Sequence, residues 1–166
     1  MLTTNQKGAT AETAIAHAAV KLGIEVYRPV AEGGRFDLIF AFADATLARV
    51  QCKWAPLVKG TVAIRSYSAR RAREGMRYRS YTSDEIDAIA AYCPANERCY
   101  YVPVERVDGR RVLHLRLEPA RNHQVDRVNY ALGYELGAIA QLGERVAGSH
   151  EVGGSSPPGS TPLEAA

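Results

Sequence analysis

Apolar side chains recur at helical spacing over residues 8–22, GATAETAIAHAAVKL, where Ala11, Ile15, Ala18 or Ala19 and Leu22 share one face and Gly23 supplies a stop. The pattern then shortens. IEVYRPV, DLIFAF and ATLARVQCKW read as three strands, separated by Glu32, Gly33 and Gly34 and then by Asp44. Residues 60–81 extend briefly as GTVAIRSYSA and continue as an arginine-rich arm, expected to be flexible. SDEIDAIAAYCP predicts a short helix with Ser83 at its N-cap, although Ile86 stands where a capping box needs an acid or amide. CYYVPVERV and RRVLHLRL read as two strands joined at Asp108-Gly109, a hairpin signal, and NHQVDRVNYALGYEL as a closing helical segment. This order predicts an α/β domain with a mixed central sheet flanked by helices.

Composition trims the folding unit. Of 166 residues, 46% are hydrophobic and 23% charged, which suits one compact domain. Residues 137–166 hold six Gly, three Pro and four Ser, so the expected domain is 1–136 with a Gly/Ser/Pro-rich tail. The odd set Cys52, Cys93 and Cys99 lacks the density of a secreted disulfide scaffold. No segment approaches the roughly 20 apolar residues of a membrane span, and the amino terminus has no signal-peptide pattern. A cytoplasmic protein without membrane contact is expected.

Charge is unevenly placed. The net value is +3, but residues 59–81 carry seven basic side chains (Lys59, Arg65, Arg70, Arg71, Arg73, Arg77 and Arg79) against Glu74 alone, a local +6 that leaves −3 elsewhere. Tyr67, Tyr78 and Tyr81 are interleaved with them. Guanidinium forks beside flat rings form the electrostatic footprint of a nucleic-acid surface, although a solvated arginine-rich face has the same composition.

Candidate chemistry lies on the second and third strands. Gln51 and Lys53 alternate in VQCKW, so period-two geometry sends both to one face and Cys52 to the other. If the strands are neighbours, Asp37 offers a carboxylate oxygen, Gln51 an amide oxygen and Cys52 its backbone carbonyl to Mg²⁺, a hard cation. Lys53 beside them can orient the attacking water and stabilise charge on a scissile phosphate. Glu12 on the first helix is the fourth candidate, as a metal ligand or a holder of water. Each residue has a plainer reading: Glu12 as a surface acid near a helix start, Asp37 as a turn residue, Gln51 and Lys53 as the polar face of an edge strand. Asp87, set among Ile86, Ala88 and Ile89, fits an ion pair with an arginine at least as well as catalysis. Cys93, Cys99, His114 and His123 do not have the spacing of a zinc site.

Taken together, Lys7-Gly8 with Glu12, RFD with Asp37, VQCK with Gln51 and Lys53, IRSYSAR, YTSDEIDAIAAYCP, LHLRLEP and the Asn122-His123-Gln124 stretch resemble the PD-(D/E)XK endonucleases, specifically their intron-encoded homing branch, over about residues 6–136. The resemblance implies a restriction-endonuclease-like core and Mg²⁺-dependent hydrolysis of DNA phosphodiesters at a long, partly symmetric duplex. It also implies catalytic roles for Glu12, Asp37, Gln51 and Lys53, with metal held by Glu12, Asp37, Gln51 and the Cys52 carbonyl. Two departures stand out. Phe36 replaces the motif's proline, and Gln51 replaces an acid, which weakens the electrostatic attraction for a cation. By the same resemblance Arg65 and Ser66 approach the major groove. Lys59, Tyr67, Arg70, Arg71, Arg73, Arg77 and Arg79 line the DNA, and Asn122 and Gln124 either contact it or tie the last segment to the core. One cleavage centre per chain implies a homo-dimer or a dimer of dimers. Two further readings stand: a structure-specific nuclease such as a junction resolvase, and a DNA-binding or assembly protein with little catalysis.

Overall fold

The computed structural model describes residues 1–31, 33–118 and 128–138. Helix α1 (Thr4–Lys21) begins ahead of the expected start because Thr3 and Gln6 form a capping box: the Gln6 amide donates to the Thr3 hydroxyl and the Thr3 amide to the Gln6 side chain. Gly23, at φ +77°, ends it as expected, and the Ile24 amide closes on the Ala19 carbonyl. Ten strands are found among the described residues: β1 (Glu25–Tyr27), β2 (Leu38–Ala41), β3 (Leu47–Trp54), β4 (Leu57–Val58), β5 (Thr61–Arg65), β6 (Tyr67–Ala72), β7 (Gly75–Ser80), β8 (Ala88–Cys93), β9 (Arg98–Pro103) and β10 (Val112–Arg116).

The central sheet runs β1-β2-β3-β8-β9 and is mixed, with β3 and β8 parallel and the other pairs antiparallel. Side chains on its two faces build two cores. On one, Ala48, Val50, Cys52, Ala88 and Ala90 meet Ala11, Ile15 and Ala19 of α1; alanines on both partners let the helix lie close to the strands. On the other, Ile89, Ala91, Tyr100 and Val102 pack against Val62, Ile64, Leu113 and Leu115 of a second sheet, β10-β5-β4. Ala131, from a 3-10 turn at Ala131–Tyr134, joins that second core. The molecule is thus an α/β fold with a mixed central sheet and helical elements at its flanks, consistent with a restriction-endonuclease-like core.

Four expected elements are corrected. SDEIDAIAAYCP forms one tight turn at Thr82–Ile86 and then strand β8, not a helix. Its alanines read as helical, yet the strand is central, and burial on both faces erases the alternation that would have marked it. The Asp108-Gly109 turn exists, with Gly109 at φ +67°, but β9 and β10 do not pair across it. Instead β10 leaves for the second sheet and pairs with β5, which buries Leu113 and Leu115. The arginine-rich arm is an ordered two-stranded ribbon, β6 paired with β7 and turning at Gly75 (φ +121°). In the closing segment, residues 128–136 contain the 3-10 turn and two isolated bridges, Arg116 to Tyr130 and Tyr100 to Glu135, in place of a continuous helix. Asn122, Gln124 and residues 139–166 of the expected tail lie outside the described residues.

Asp87 is held by Arg49, the ion-pair reading. Arg49 Nε and Nη2 donate to the two carboxylate oxygens at 3.0 and 2.8 Å, the Arg49 amide donates at 2.7 Å, and Nη2 also reaches the Ser83 carbonyl at 2.9 Å. The contact fixes the turn that feeds β8. Arg49 holds the Asp87 carboxyl below its ordinary value of 3.8. A lowered folded value adds stability that is present above the unfolded value and lost as pH falls through the folded one. With side chains 36% and 40% exposed, solvent screening limits this to about 1 kcal/mol. Chemical denaturation of Asp87→Asn is therefore expected to show a loss of that order at pH 7 that shrinks progressively in acid as pH falls below 3.8.

Candidate active site

The neighbouring strands that the sequence required are present. Leu38 pairs with Val50, and the Asp37 amide donates to the Val50 carbonyl at 2.9 Å, so Asp37 stands one step beyond the end of β2, opposite Gln51. Asp37 Oδ2 accepts the Cys52 amide at 2.8 Å and the Gln51 side-chain amide. Gln51 Nε2 also points to the Cys52 carbonyl at 3.3 Å, so one NH₂ group sits between a carboxylate oxygen and a peptide oxygen. Gln51 is 8% exposed. Burial raises the Asp37 carboxyl above its usual value, opposed by the Cys52 N–H, the Lys53 charge and the Gln51 amide.

Cys52 faces the other way, as alternation requires, with its thiol in the core against α1. Burial and then the Asp37 and Glu12 charges push that thiol far up, so it stays protonated and only its carbonyl serves the site. Glu12 is anchored by its neighbour Ala11, which is 1% exposed. It shares with Asp37 a cleft of about 570 Å³ between α1 and the segment that leads into β2. Arg28 lies 3.9 Å from Glu12, and its charge also acts on Asp37, opposing the rise that burial causes. Lys53 lies on the Gln51 side of β3. Its Nζ donates to Tyr81 Oη at 2.8 Å, with the ring centroid 4.8 Å away. Burial lowers its ammonium to about 8 despite the opposing pull of Asp37.

Asp37, Gln51 and the Cys52 carbonyl therefore meet between two strands, and Glu12 of the helix lines the same cleft as Asp37. Among the described residues no three His, Cys, Asp or Glu side chains form a metal cluster. The available donors are two carboxylates, one amide and one peptide carbonyl, all hard oxygens. The Gln51 NH₂ lies where two of those oxygens meet, and turning the amide over presents Oε1 there instead.

The ribbon stands beside this centre. Arg35, two residues before Asp37, lies over the Tyr81 ring at 4.3 Å and donates to Ser68 Oγ (2.9 Å), the Ser80 carbonyl (2.7 Å) and Glu85 (2.8 Å). Glu85 also accepts Arg79. Across the ribbon Arg70 pairs with Arg77 and Ser68 with Arg79, so these four share one face; Tyr67, Arg71 and Tyr78 lie on the other, with the two tyrosine rings edge to face at 5.3 Å. A cleft of about 610 Å³ separates the Gly33–Arg35 segment from the first face.

Arg77 is tied to Glu74 at 2.9 Å and Arg79 to Glu85, whereas Arg70, Arg71 and Arg73 have no ion pair among the described residues. Lys59, in the β4–β5 turn, and Arg65, at the end of β5, are exposed. Ser66 is 2% exposed: its hydroxyl donates to the Arg110 carbonyl and its own carbonyl accepts from Tyr81, so its place is structural. No motif or spacing in the sequence marks Arg28, Arg35 or the engagement of Tyr81. RFD did place Arg35 two residues from Asp37, but its partners are 33 to 50 residues away.

A solved structure titled as a bacterial homing endonuclease, I-Ssp6803I, superposes with a TM-score of 0.70 at 23% identity, covering 91% of this chain and 100% of the other; at that identity the likeness speaks for the fold. No curated protein matches in sequence. A family model described as PD-(D/E)XK endonuclease matches residues 2–137, a span that holds the oxygen set, Lys53 and the ribbon. The chain belongs to the PD-(D/E)XK endonuclease family.

Proposed function

We propose that the chain is a Mg²⁺-dependent, site-specific endonuclease of double-stranded DNA that acts as a homing endonuclease on a long duplex target. The observation that carries this reading is the union of Asp37, Gln51 and the Cys52 carbonyl at one point, with Glu12 across the cleft and Lys53 on the same face of β3. Glu12, Asp37, Gln51 and the Cys52 carbonyl are the residues that would hold the cation. When bound it supplies Lewis-acid polarisation of the phosphate. Glu12 positions the attacking water, and Lys53 brings an ammonium from a largely buried place, where it stabilises developing phosphate charge more strongly than in bulk solvent. The ribbon suits the substrate, because a two-stranded β-ribbon fits the major groove of B-form DNA. One centre per chain and two strands to cut favour a homo-dimer or dimer of dimers, working in the cytoplasm.

The test is selection from a library of linear duplexes with Mg²⁺. Recovery of one long, partly symmetric cut sequence, lost on chelation, is the expected result. Cutting confined to four-way junctions would replace the homing reading with a resolvase, and binding without any cutting would leave a DNA-binding protein.

Gln51→Glu probes the neutral ligand. With no cation, the introduced carboxylate and that of Asp37 would face each other as like charges, so a stability loss of about 1–3 kcal/mol is expected. With Mg²⁺ the added charge is expected to lower the half-saturating concentration about tenfold, read by titrating cleavage and thermal stability together.

A further inference from the structure

The geometry points to Tyr81 as the positioning residue for Lys53: its hydroxyl holds the lysine ammonium and links the seat of that ammonium to the DNA-facing ribbon. The inference rests on the nuclease reading and deepens it.

Tyr81 follows β7 directly. Its amide donates to the Ser66 carbonyl at 3.3 Å, and it is 6% exposed, packed with Ile86 and Ile64. The ring is thus fixed by the ribbon's root and by the second core, not by the strand that carries Lys53. Lys53 needs such a holder. Four methylenes separate its charge from β3, and a flexible stem loses reactivity unless the head is fixed. The one hydrogen bond found for Nζ among the described residues is the 2.8 Å contact with Tyr81 Oη.

Arg35 completes the arrangement. It lies 4.3 Å over the same ring and donates to Ser68 and to the Ser80 carbonyl at the root of the ribbon. Its Nε is buried with no hydrogen-bond partner among the described residues. The ring therefore takes a cation on its face while its hydroxyl takes another at its edge. A shift of the ribbon on DNA can reach the lysine through Tyr81, either along the chain from Ser80 or by way of Ser68 and Arg35.

Tyr81→Phe keeps the ring and removes only the acceptor. Single-turnover cleavage at saturating DNA is expected to fall about 10- to 100-fold, the range for a hydrogen bond to a charged group, with DNA affinity measured without metal unchanged within about twofold. In a Lys53→Ala background the same change is expected to cost nothing further, because its effect runs through the absent ammonium. A second readout is independent of cleavage. The Lys53 side-chain signals in nuclear magnetic resonance spectra of the metal-free protein are expected to move in Tyr81→Phe, and those of Lys59 to stay. Equal cleavage by Tyr81→Phe and the unmodified protein, additive losses in the double variant, or unmoved Lys53 signals would each overturn the inference. If the unmodified protein cuts no DNA while the Lys53 signals do move, the nuclease reading fails and the Tyr81 contact survives it.

Discussion

Asp37→Asn is expected to lower the single-turnover cleavage rate by about 10³-fold or more, and Lys53→Ala by about 10²- to 10³-fold, the range seen when one preorganised charge or donor is removed from a reacting centre. Asparagine is the informative replacement. Its Oδ1 still accepts the Cys52 amide, so β2 and β3 stay joined, but the negative charge is gone. Asp37→Ala, by contrast, orphans a buried N–H and adds about 1–3 kcal/mol of destabilisation that would confuse the result. Removing Asp37's charge takes a repulsive group away from incoming phosphates, so duplex affinity measured without metal is expected to hold or improve. Lys53→Ala is expected to lose no more than a few-fold in affinity, because the ammonium is one buried charge beside seven basic residues of the ribbon region. Cleavage and binding measured on the same preparations separate the two effects. Full cleavage by Asp37→Asn would remove the oxygen set from the mechanism. Loss of binding and cutting together would point to a folding defect.

The parts of this centre that were readable from the chain are those set by local periodicity. Gln51, Cys52 and Lys53 fall on alternate faces of β3 because a strand repeats every two residues, and Asp37 meets them because the β2–β3 register is short and antiparallel. Ile15 and Ala19 likewise marked the buried face of α1. What failed was non-local. Ala88–Cys93 is alanine-rich and buried on both sides, so neither propensity nor alternation identifies it as the strand beside β3. Asp108-Gly109 does turn, but which sheet β10 joins depends on the apolar surface of β5, some fifty residues earlier. The ribbon carried a charge signal without a shape, because Arg70 and Arg77 lie on opposite sides of a turn and come together only through pairing. Arg35 illustrates the limit best. Its neighbours Ser68, Ser80 and Glu85 are assembled by three separate connections, and no spacing in the sequence announces them.

Replacing Arg70, Arg71 and Arg73 together with alanine is expected to weaken duplex binding by about 100-fold at moderate salt and to reduce the slope of log affinity against log salt by about 2.7, since each neutralised phosphate accounts for about 0.9 of it. These three are chosen over Arg77 and Arg79 on structural grounds. Arg77 is paired with Glu74 at 2.9 Å and Arg79 with Glu85, so part of their charge is already compensated inside the protein. Arg79 also shares Glu85 with Arg35, and its removal would loosen the root of the ribbon as well as its surface. Arg70, Arg71 and Arg73 are exposed at the distal part of the ribbon, where their removal leaves Tyr67, Tyr78 and the β6–β7 pairing in place. At saturating DNA the triple variant is therefore expected to cut within about threefold of the unmodified rate, a defect in binding and not in chemistry. The opposite pairing of results, unchanged affinity with an unchanged salt slope, would place the DNA on another face and turn the ribbon's charge into ordinary solvation. Titration of one duplex at several salt concentrations decides between them, and the same titration on Arg77→Ala measures how far an internal ion pair reduces an arginine's hold on phosphate.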